Sequence, residues 1–80
     1  MTALDPHLSE LIADLFGLPA HEITPQTGRA TLAQWDSLLH LRLILAVEKG
    51  FQVRFPTAKI AELTSAGAIQ EALDAIRTST

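Results

Sequence analysis

Apolar residues recur at helical spacing in three separate blocks of this chain. Only one run, Phe51-Gln52-Val53-Arg54-Phe55, alternates apolar and polar as a strand does. A lone five-residue strand has no second segment to pair with, so this run reads as an extended connector that buries Phe51, Val53 or Phe55. The expected fold class is therefore all-α: a small antiparallel bundle of three main helices plus one short helix.

The first block opens on Asp5-Pro6, where Asp can accept from orphan backbone N–H groups and Pro is tolerated at the first helical position. Leu8, Leu11, Ile12, Leu15 and Phe16 follow at i, i+3, i+4, i+7 and i+8, and Gly17-Leu18-Pro19 stops them, which predicts helix 1 over about 6-16. From 17 to 36 the period lapses, and Pro19, Pro25 and Gly28 mark a long loop anchored by Leu18, Ile23, Leu32 and Trp35. Helix 2 is expected over about 37-49, ended by Gly50, and a short helix over about 57-61 follows Pro56. Thr64 or Ser65 can cap a last helix over about 66-77, whose apolar positions are Ile69, Ala72, Leu73 and Ile76. Thr78-Ser79-Thr80 reads as a frayed tail.

Eighty residues are expected to form one domain, with room for a core and little for a catalytic cleft. Cysteine is absent, so any thiol chemistry must come from a cofactor. His7 and His21 are not at ligand spacing, and no metal site is expected. The start of the chain lacks signal-peptide features, and no apolar run reaches the roughly 20 residues of a membrane span. A cytoplasmic monomer is the expectation. A formal charge of -3 without a basic stripe disfavours nucleic acid as a partner.

Helix 2 has more apolar surface than one core face requires. Leu43, Ile44, Val47 and Phe51 form one stripe, assigned to the core with His40 at its upper end, and Leu38, Leu41 and Leu45 form a second, rotated away from it. Either the long loop folds over the second stripe or the stripe stays exposed as a docking surface.

The second stripe begins inside Gln34-Trp35-Asp36-Ser37-Leu38-Leu39-His40-Leu41. Ser37 there has three readings. A catalytic nucleophile needs a base, an orienting group and oxyanion donors around a pocket, and Asp36, Ser37 and His40 on one short helix start supply the residue types without a cleft or a nucleophile elbow. A helix cap, by Ser37 or Asp36, satisfies the first N–H groups but leaves the stripe unexplained. A modified serine would place a phosphodiester at the positive end of the helix dipole.

"WDSL", then a helix ending "AVEKGFQVRFP" and then "ELTSAGAI", resembles the acyl carrier proteins over nearly the whole chain. The resemblance implies a carrier and no catalytic residues. Ser37, flanked by Asp36, would bear a 4'-phosphopantetheine arm, added from coenzyme A by a phosphopantetheinyl transferase. The arm's thiol would hold acyl groups as thioesters for acyl-transferring or acyl-activating enzymes of a dedicated lipid, polyketide or related pathway. The positions matching the family's partner contacts are Leu38, Leu41, Arg42, Leu45 and Glu48. The alternatives are an aminoacyl or peptidyl carrier, or an unmodified helical interaction module of the same fold.

Fatty-acid carriers of this family have an acidic helix 2. Here Asp36 and Glu48 are offset by Arg42 and Lys49, and Leu39 and Arg42 stand where acidic residues would be expected. A specialised carrier is the expectation, with partners that make more apolar contact and carry less positive charge. His40 reads either as a partly buried residue closing the top of the bundle or as a group that tunes an acyl channel or touches the arm.

Overall fold

Pro6 opens helix α1, Pro6–Phe16, because its missing N–H would have no helical partner there, and the Asp5 carboxylate accepts from His7 N–H at 2.8 Å. Gly17 ends α1 at φ 70°, in the left-handed region that costs glycine nothing. Leu8, Ile12, Ala13 and Phe16 face inward, with Leu11 and Leu15 packed at their margin. The computed structural model describes residues 4–78. Of the expected frayed tail, Ser79 and Thr80 lie outside the described residues, while the last helix runs through Thr78.

The long loop is structural for most of its course. A 3-10 turn, Ala20–Glu22, carries the chain to buried Ile23, and Trp35 is inserted into the core at 2 % exposure, with Leu18 and Leu32 half-buried against it. Between these anchors the backbone is stitched to the start of the last helix. Arg29 N–H donates to Thr64 C=O (3.0 Å), Ala66 N–H to Thr27 C=O (2.7 Å) and Gly67 N–H to Pro25 C=O (2.9 Å). Gly28 sits in an isolated bridge with Ser65, so close that a Cβ would run into the Thr64 carbonyl oxygen.

Helix α2, Ser37–Phe51, is the longest of the described helices. It corrects the expectation that Gly50 ends it. The helix continues to Phe51 and closes on Gln52, which takes the left-handed conformation at φ 56° and donates its N–H to Glu48 C=O. Gly50 is a packing position: a Cβ there would lie 3.1 Å from Leu11 Cδ1 and 3.4 Å from His7 Cε1, so glycine lets α1 approach. Phe51 is thus helical and half-buried, its ring 4.9 Å from that of His7 and 5.1 Å from the Arg77 guanidinium. The extended connector begins only after Gln52, burying Phe55 fully and Val53 in part.

Helix α3, Thr57–Ile60, is a single turn after Pro56. Helix α4, Ala66–Thr78, starts with Ser65 Oγ accepting from Ala68 N–H at 3.1 Å and buries Ala66, Ile69, Ala72 and Leu73. Gln70, 3 % exposed, clamps it to the start of α1 by accepting Asp5 N–H at 2.7 Å and donating to Asp74 at 2.9 Å. One apolar cluster joins α1, α2, α4, Ile23, Trp35, Phe55 and Leu63. The architecture is all-α, with no strand among the described residues. Among those residues no helix is long and apolar enough to cross a membrane, and no acidic or histidine cluster could hold a metal ion.

Candidate functional site

Ser37 is the first residue of α2 and is exposed. The cap is Asp36, not Ser37: Asp36 Oδ1 accepts Leu39 N–H at 3.0 Å, and its backbone carbonyl accepts His40 N–H at 2.8 Å. Among the described residues the Ser37 hydroxyl makes no hydrogen bond, and the N–H groups of Ser37 and Leu38 have no acceptor. The serine therefore offers a free oxygen beside two unsatisfied donors at the positive end of a fifteen-residue helix.

His40 is fixed on the other side of the helix. Its ring is 6 % exposed and accepts the Trp35 indole N–H at Nδ1 (2.9 Å). Because an indole can only donate, the ring proton sits on Nε2, which donates to Ile60 C=O at 2.9 Å. Both ring nitrogens are committed, so His40 cannot act as a base for Ser37, and the nucleophile reading loses its proton acceptor. The Trp35 ring also stacks on Phe16 at 5.2 Å, and Gln34 Nε2 donates to Phe16 C=O at 3.2 Å. The residues leading into Ser37 are thereby braced against α1 and α2.

The second apolar stripe is open to solvent. Leu38, Leu41 and Leu45 are 60 %, 53 % and 64 % exposed, so the long loop does not fold over them. Arg42 is exposed beside them. Leu39 differs: it is half-buried and packed against the core. Glu48 is half-buried as well, and its Oε2 accepts Phe55 N–H at 2.7 Å, which ties the end of α2 to the connector. The resemblance counts Glu48 among the exposed partner contacts, whereas the inward hydrogen bond depends on a backbone turn at Gln52 that no residue type announces.

A helical bundle that presents one uncommitted serine at the positive end of a helix, beside an open apolar stripe, suits a protein that carries a group. Residues 6–73 match the family model described as the phosphopantetheine attachment site, and this chain belongs to that family. It is 34 % identical over 68 residues to orsellinic acid synthase of Emericella nidulans, a match that covers 85 % of this chain and spans only 3 % of that much longer protein. Domains of the family are non-catalytic carriers that hold acyl intermediates on covalently attached 4'-phosphopantetheine. Its members are acted on by phosphopantetheinyl transferases and acyl-handling enzymes.

Proposed function

We propose that Ser37 is the attachment point of the arm and that Leu38, Leu41, Arg42 and Leu45 form the surface read by partner enzymes, with Glu48 at its edge. The carrying observation is the exposed, unbonded Ser37 hydroxyl at the start of α2, next to two N–H groups free to donate to a phosphate oxygen. The arm's phosphodiester suits this place, since both the helix dipole and unpaired backbone donors favour an anion. Asp36 contributes by capping the helix, which leaves Ser37 free.

In the modification step Ser37 Oγ bonds to the phosphorus that bears the pantetheine arm in coenzyme A. The adenosine bisphosphate leaves, and the hydroxyl proton passes to the transferase. Bound in this way, the group supplies a terminal thiol that holds cargo as a thioester, in a chain that has no cysteine of its own. The orsellinic acid synthase relative supports an acyl cargo of polyketide type over an aminoacyl cargo or an unmodified interaction module. A cytoplasmic setting, where coenzyme A is at hand, fits this chemistry.

The test is intact mass after incubation with coenzyme A and a promiscuous phosphopantetheinyl transferase. One added arm is expected, absent from Ser37→Ala. An unchanged wild-type mass with a transferase shown to be active on another carrier would remove the carrier reading.

A further inference from the structure

We infer that the enzyme that docks on α2 to charge or unload the arm does so with an apolar cleft rimmed by carboxylates. This rests on the carrier reading above and specifies its partner. Leu38, Leu41 and Leu45 fall at i, i+3 and i+7. Arg42 and Lys49 fall four residues after Leu38 and Leu45, so that three leucines and two cations share one helix face. All five are exposed.

The acids that cancel these charges in the sequence do not cancel them on this face. Asp36 is held at the helix start by Leu39 N–H, and Glu48 is half-buried with its carboxylate on Phe55 N–H. Among the described residues neither Arg42 nor Lys49 belongs to an ion pair. What α2 presents is therefore apolar and cationic, on a chain whose formal charge is -3.

A partner that covered Arg42 without a counter-charge would strip its hydration and return nothing. A carboxylate in the rim makes a charge-assisted hydrogen bond instead, while the apolar floor removes the leucines from water. A basic docking patch would meet two like charges. An anionic membrane is a poorer occupant, because two cations fall short of the basic clusters that hold proteins on lipid and the rest of the chain is net acidic. Two copies packed through this face would oppose their own cations.

The test uses the full chain converted to its holo form, confirmed by intact mass. Malonyl loading is measured with a fatty-acid-synthase malonyl transferase that docks carriers through a basic patch, and with a version of that enzyme whose patch cations are replaced by glutamate. The wild-type carrier is expected to be loaded about tenfold more efficiently by the inverted enzyme, and Arg42→Glu/Lys49→Glu about tenfold more efficiently by the unaltered one. Arg29→Glu, the same kind of change in the long loop, should behave as wild type. Equal loading of wild type and double variant by both enzymes overturns the inference while leaving the carrier intact. So does binding of the wild type, but not the double variant, to phosphatidylglycerol vesicles, or a wild-type dimer in sedimentation that the double variant lacks. Failure to form the holo protein at all overturns the carrier reading and the docking inference with it.

Discussion

Trp35 and His40 are joined by an indole N–H to Nδ1 hydrogen bond of 2.9 Å inside the core, and the far nitrogen of the same imidazole holds the last carbonyl of α3. A single ring thus links the end of the long loop, the first turn of α2 and α3. Removing the ring leaves a buried donor on Trp35 without an acceptor, while Ile60 C=O loses one of its two donors and keeps Leu63 N–H at 3.2 Å. The orphaned indole N–H costs about 1–3 kcal/mol, so His40→Ala should destabilise the chain by at least that much in urea unfolding. Trp35→Phe keeps the stack on Phe16 but orphans Nδ1, at a cost of about 1–3 kcal/mol. The double variant should recover at least about 1 kcal/mol relative to additivity. Strict additivity would mean that the two side chains stabilise the fold separately.

Glu48 is engaged inward, and its two nearest replacements should separate. Glu48→Ala removes the acceptor for Phe55 N–H and should cost about 1.5–3 kcal/mol, the range for a hydrogen bond to a charged group. Glu48→Gln keeps a side-chain oxygen in place and should lose less than about 1 kcal/mol. Hydrogen exchange at the Phe55 amide gives a local check: it should accelerate in the alanine variant and change little in the glutamine one. Equal exchange in both would show that the bond does not protect this amide.

Three positions where glycine chemistry matters should respond with different signs. Gly28→Ala must push a methyl against the Thr64 carbonyl and Ser65 backbone, and overpacking of this kind costs about 1–3 kcal/mol. Gly17→Ala meets nothing within 4 Å and should lose only the roughly 1–2 kcal/mol of a left-handed L-residue. Gln52→Gly works in the opposite direction: it relieves the φ 56° conformation at the end of α2 and should raise stability by about 1 kcal/mol. Thermal unfolding of the three single variants reads all of these, and a destabilised Gln52→Gly would show that the glutamine side chain has a role of its own.

The spacing of Leu8, Ile12 and Phe16, and of Leu43, Ile44 and Val47, was enough to find the inward faces, because helical periodicity is a property of the segment itself. Gly50 misled for a physical reason. Glycine marks helix ends when φ must turn positive, but here it serves the approach of Leu11 and His7, and the positive φ falls on Gln52. Ser37 and Asp36 were legible through helix-start chemistry and the Asp-Ser-Leu motif. The backbone partners of His40 and Glu48 were not, since one is a carbonyl twenty residues away and the other an amide seven residues on, and contacts with backbone leave no residue-type signature.

Leu41 and Leu43 are two residues apart on the same helix and should answer the same substitution in opposite ways. Leu43 has no exposed surface, so Leu43→Ala removes buried methyl groups and opens a cavity, at a cost of about 2–5 kcal/mol. Leu41 is 53 % exposed, and an alanine there gives up little burial while slightly favouring the helix, so stability should stay within about 0.5 kcal/mol of wild type. The functional ranking is reversed among variants that fold. Leu41→Ala, and more strongly the triple change with Leu38→Ala and Leu45→Ala, should accept the phosphopantetheine arm or acyl cargo several-fold more slowly at unchanged urea midpoint, since contact area lost from a docking face is felt only when a partner covers it. Measuring kcat/KM for arm transfer and cargo loading alongside the urea midpoint separates the two roles. A triple variant modified and loaded at the wild-type rate would show that α2 exposes these leucines for something other than those enzymes.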